Sequence, residues 1–84
     1  MSTIEYKKNI VEKWLDKEGY YNVEIAHNNY FIKADGISTR MFITIEDDFE
    51  LDVKKIKHFA FETNREAWIA KVKTETLIIE WEML

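Results

Sequence analysis

Carboxylates and lysines are the groups in this 84-residue chain with the most obvious capacity for chemistry. Asp35, Glu46, Asp47 and Asp48 fall around one predicted hairpin, and two or three carboxylate oxygens converging on a single gap are what a hard divalent cation requires. A cation held there would polarise a phosphoryl oxygen or activate a water molecule. The same residues also have a purely structural reading. Asp35-Gly36 is turn chemistry, and Asp47-Asp48 is a solvated loop ahead of a helix whose dipole favours negative charge. No histidine joins the acidic cluster: His27 falls in a turn and His58 in a helix, far from metal-ligand spacing, so each reads as a surface or capping residue. Lys33 and Lys71 lie in strand patterns and are expected to face solvent, although either could supply the lysine of a displaced metal site.

Several kinds of chemistry are excluded by composition. Without cysteine there is no disulfide, no thiolate metal site and no thiol nucleophile. Gly19 and Gly36 are the two glycines, too few for a phosphate-cradling or dinucleotide loop. The expectation is therefore no cofactor and no metal. Net charge is −4, with basic residues scattered among acidic ones, which disfavours DNA as a partner because phosphate contacts call for a positive footprint. No apolar run nears the roughly 20 residues of a membrane span, and the N-terminal residues lack the apolar stretch of a signal peptide. A cytoplasmic protein without a membrane partner is expected.

The elements that would hold these groups follow from periodicity. Ser2 to Glu18 reads as an amphipathic helix, with Tyr6, Ile10 and Trp14 recurring every four residues alongside Val11 and Leu15. Ser2-Thr3-Ile4-Glu5 fits a capping box, and Gly19 fits the left-handed residue that ends a helix. Tyr21, Val23 and Ile25 then alternate as a first strand up to the turn His27-Asn28-Asn29. Tyr30 to Ala34 is a second strand and Arg40 to Glu46 a third. A second helix spans about Leu51 to Thr63, with Val53, Ile56, Ala60 and either Phe59 or Phe61 on its apolar side. Ala67 to Lys73 and Thr76 to Trp81 complete the order as two strands around a tight turn at Thr74-Glu75. The fold class is α+β, α-β-β-β-α-β-β, a mixed sheet flanked by two helices with the third strand central. Neither repeats nor proline mark a boundary, so residues 1–84 read as one domain.

Specific stretches carry a resemblance. Ile10-Val11-Glu12-Lys13-Trp14-Leu15-Asp16-Lys17-Glu18-Gly19-Tyr20 resembles the first helix of the archaeal Holliday junction resolvases, which have the restriction-endonuclease-like fold. Ile32-Lys33-Ala34-Asp35-Gly36 and Met41-Phe42-Ile43-Thr44-Ile45-Glu46 resemble their hairpin, and Ala67-Trp68-Ile69-Ala70-Lys71-Val72-Lys73 the strand after their second helix. The resemblance implies a nuclease-like core. It also implies metal ligands at an Asp in the second strand and at a Glu-x-Lys in the third, with a Glu in the first helix. Aligned without gaps, those positions hold Phe31, Thr44, Glu46 and, near the helix position, Lys8. Every one is changed, so the resemblance implies a degenerate site.

The leading expectation is thus a non-catalytic interaction or inhibitor protein on that scaffold, acting by surface binding to an unidentified protein partner. The alternative is a divalent-metal DNA nuclease or junction resolvase with a migrated site at Asp35, Glu46 and Asp47 or Asp48. Trp14, Trp68, Trp81, Phe31, Phe42, Phe59 and Phe61 read as core in preference to a base-stacking platform. Apolar residues on both faces of strands two, three and five exceed what two helices can cover, which points to a homodimer. Leu77, Ile79 and Trp81 of the last strand are the expected interaction surface.

Overall fold

The computed structural model describes residues 3–26, 31–47 and 50–84. Ser2 of the expected capping box, the His27-Asn28-Asn29 turn, Tyr30 and Asp48 lie outside the described residues. The chain runs α1 (Thr3–Lys17), β1 (Tyr21–Ala26), β2 (Phe31–Asp35), β3 (Arg40–Ile45), α2 (Val53–Glu62), β4 (Glu66–Lys73), β5 (Ile78–Met83). The five strands form one mixed sheet in the order β1-β2-β3-β4-β5. β3 is central, and it pairs antiparallel with β2 and parallel with β4 across the α2 crossover.

Within β3 the side chains of Met41, Phe42, Ile43, Thr44 and Ile45 are all buried, because a helix covers each face of the sheet there. On one face, Val11 and Leu15 of α1 pack on Ile32, Ala34, Met41, Ile43, Ile45, Ala70 and Val72. On the other face, Ile56 and Ala60 of the shorter α2 pack on Phe42 and Ala67. Phe59 packs against this second layer, whereas Phe61, also expected in the core, is 82% exposed, because it falls on the solvent side of α2, away from Ile56 and Ala60.

Chain-stop chemistry sets the helix ends. Gly19 has φ +84°, and the Tyr20 N–H returns to the Leu15 carbonyl at 2.9 Å, closing α1 with a left-handed glycine. Asp52 caps α2 by accepting from the Lys55 N–H at 3.1 Å. At its other end Asn64 takes φ +57°, and the Arg65 N–H reaches the Ala60 carbonyl at 2.8 Å.

Two strand expectations need correction. β1 does not alternate regularly, because Asn22 at φ +51° inserts a bulge between Tyr21 and Glu24, leaving both Tyr21 and Val23 exposed. β5 begins at Ile78 instead of Thr76. The Leu77 N–H bonds the Lys73 carbonyl at 2.7 Å and Leu77 adopts φ +58°, so four turn residues, 74–77, join β4 to β5.

Candidate functional site

Of the candidate acidic residues, the described ones, Asp35, Glu46 and Asp47, do not converge. Asp35 ends β2 opposite Arg40 at the start of β3, whereas Glu46 and Asp47 follow Ile45 at the far end of that strand. Six residues of extended chain, about 20 Å, separate the two ends. Among the described residues no group of three or more His, Cys, Asp or Glu is placed to hold a metal ion. Each end instead has its own cationic partners. The Arg65 Nη1 donates to Asp35 Oδ1 at 2.7 Å and to the Ala34 carbonyl at 3.0 Å. Arg40 Nε reaches the same carboxyl oxygen at 3.3 Å, and Asn22 Nδ2 donates to the other at 3.3 Å. The Asn22 hydrogen bond, together with Arg65 and Arg40, holds the Asp35 carboxyl below its ordinary value against a smaller opposing effect of burial. The bulge in β1 is what brings Asn22 there, so Asp35 is a clasp joining β1, β2, β3 and the exit of α2. At the other end Lys7 donates to the Glu46 carbonyl at 3.2 Å and to Asp47 Oδ1 at 3.4 Å, which fixes the N-terminal part of α1 to the end of β3.

Phe31 and Thr44 are cross-strand partners, and alternation puts Glu46 on the same face of the sheet. At Phe31 and Thr44 that place is packed shut, while Glu46 is exposed at the strand's end. The Phe31 ring lies 5.3 Å from Phe42 and 6.3 Å from Phe59, centroid to centroid, and Thr44 is fully buried with its Oγ1 lacking a hydrogen-bond partner. Lys8 on α1 pairs loosely with Glu12 at 4.0 Å. Lys33 pairs with Glu24 at 3.5 Å. Lys71 pairs with Glu82 at 3.0 Å, and that hydrogen bond raises its ammonium pKa, with Glu46 and Glu80 adding negative charge nearby. His58 faces Glu62 one turn on at 3.3 Å, with both side chains exposed.

The side of the molecule where α1 meets β5 is different in kind. Trp81 lies 4.8 Å from Trp14 and 6.3 Å from Trp68, so it is an anchor beneath α1 more than an exposed contact. The indole Nε1 atoms of Trp68 and Trp81 are buried without partners. Beside this anchor an open groove of about 520 Å³ runs between Tyr6, Ile10 and Trp14 on α1 and Leu77 and Ile79 on the far wall. Leu77 and Ile78 are each 58% exposed. β5 is also an outermost strand, and its register with β4 is regular over six consecutive pairs. Since the Leu84 N–H donates to the Ala67 carbonyl, alternation turns the backbone groups of Ile79, Trp81 and Met83 toward the open edge.

Of the expected surface residues, Leu77 and Ile79 therefore share a groove wall, while Trp81 supports the strand from inside. Periodicity did not reveal Arg65, Arg40 and Asn22 gathering on Asp35, because that clasp depends on a bulge and on a helix exit distant in sequence. The groove's other wall was foreshadowed by the Tyr6, Ile10 and Trp14 spacing. No family model matches the sequence, and a search of curated proteins finds none similar to it.

Proposed function

We propose that this chain is a non-catalytic interaction protein on a degenerate nuclease-like scaffold, working in the cytoplasm and binding through its α1–β5 side. The helix, meander, helix, strand order supports the resemblance to the resolvase fold, because that order is the family's minimal core. The observation that carries the loss of catalysis is the replacement of ligand positions by packing: Phe31 belongs to an aromatic cluster and Thr44 is sealed in the core. Neither a phenyl ring nor a buried neutral hydroxyl supplies the charged oxygen that a hard cation needs. The distance between Asp35 and Glu46 likewise weighs against a migrated site. Fold and activity separate readily in this way. Self-association as a dimer is part of the proposal, since an unprotected edge strand beside exposed apolar residues is suited to pairing with a second copy.

Incubating the protein with branched and linear DNA in Mg²⁺ or Mn²⁺ tests the reading. Intact DNA is expected. Cleavage that disappears in Glu46→Gln or Asp35→Asn would replace it with the nuclease alternative.

A further inference from the structure

The α1–β5 groove differs in charge from the rest of the molecule. Net charge is −4, yet the charged residues lining the groove are Lys13 and Lys17, with no carboxylate among its walls. On the same helix Lys7 and Lys8 are held by Asp47 and Glu12. Among the described residues, by contrast, no carboxylate forms an ion pair with Lys13 or Lys17. Lys17 lies in the last turn of α1, where the helix dipole favours a cation. Lys13 has no such reason, and like charges one turn apart disfavour each other. Two unpaired ammonium groups above an apolar floor form a surface complementary to an anionic partner that also carries hydrocarbon.

We propose that this groove receives an acidic amphipathic helix from a partner protein. The inference rests on the reading of the chain as an interaction protein and names the chemistry of what it binds. Shape selects a helix. Tyr6, Ile10, Trp14 and Lys17 lie along one side of α1 over twelve residues, a helical rise of about 16 Å, which matches three turns of a helix lying alongside. Such a helix places residues at i, i+3 or i+4, and i+7 against Tyr6, Ile10, Trp14, Leu77 and Ile79, and its flanking carboxylates against Lys13 and Lys17. An extended segment would present only alternate residues to the groove and leave the others beside Glu80 and Glu82. A groove-bound helix makes no backbone bonds to β5, so the strand edge stays open to a second copy. Two lysines are too few for the phosphate neutralisation that a nucleic acid requires.

The test is selection from a display library of random peptides, long enough for three to four helical turns, on the full chain. The enriched peptides are expected to be acidic, to carry apolar residues at helical spacing, and to gain helical circular dichroism on binding. Lys13→Glu with Lys17→Glu should weaken them by about tenfold or more, and Leu77→Asp should do likewise. Lys13→Gln with Lys17→Gln serves if the charge reversal does not fold. Enrichment of basic or extended peptides, binding unchanged in these variants, tighter binding of an oligothymidylate, or no enrichment at all would overturn the proposal. Acidic peptides that bind elsewhere would sink this inference and leave the interaction reading standing, whereas metal-dependent DNA cleavage would remove that reading instead.

Discussion

The two edges of the sheet are built to opposite specifications. At β1 the Asn22 bulge shifts the register, and the displaced Asn22 amide is used on Asp35, so the strand offers a broken template to any incoming chain. At β5 six pairs run in register, exposed apolar residues stand at both ends, and a groove lies alongside. Natural sheets blunt the edges they do not use. Of the two edges, backbone geometry protects β1 alone, which makes β5 the side on which association is expected.

The largest contrast should appear in side-chain truncation at the two edges. Trp81→Ala removes an indole packed on Trp14 and Trp68 and should cost about 2–4 kcal/mol in urea denaturation. Tyr21→Ala, at a side chain 53% exposed, should cost under about 0.5 kcal/mol. Equal costs would show that both edges are anchored alike. A smaller effect concerns the link between α1 and β1. Gly19→Ala meets no atom within 4 Å yet must hold φ +84°, so a loss of about 1 kcal/mol is expected in thermal unfolding from backbone strain alone.

The subtlest effect is the pH dependence of the Asp35 clasp. Because the folded carboxyl has a lowered pKa, its contribution is fully present above the ordinary carboxylate value and is lost as pH falls through the folded value, below about pH 4. Asp35→Asn should therefore be less stable at neutral pH and should lose less stability on acidification. A variant whose acid unfolding curve overlays the parent would show that the clasp does not contribute.

Regular periodicity made much of this architecture legible in the chain itself. The repeat of Tyr6, Ile10 and Trp14 locates α1, and the run Met41 to Ile45 marks a strand covered on both faces. What periodicity could not reveal were three positive-φ residues, among those described, that are not glycine: Asn22, Asn64 and Leu77. Asn22 makes the bulge, Asn64 turns the chain so that Arg65 can reach Asp35, and Leu77 sets the four-residue turn that starts β5 later than its β-rich composition suggests. Asparagine tolerates this region better than most residues and leucine does not, but which asparagine adopts it is decided by tertiary context, not by periodicity. The acidic cluster misled for a related reason. Spacing puts Asp35 and Glu46 near one hairpin, but the strand register places Asp35 beside its turn and Glu46 at its open end, with the length of β3 between them.

Light scattering during size exclusion, over a dilution series at micromolar concentration, tests most directly the claim that β5 is the binding edge. Exposed Ile78 and Met83 are the positions to alter, because Trp81 is needed inside the fold. Twice the monomer mass is expected for the parent and the monomer mass for the Ile78→Lys, Met83→Lys double variant, with unchanged circular dichroism in both. A parent that remains monomeric at every concentration, or a dimer that the double variant leaves intact, would contradict it.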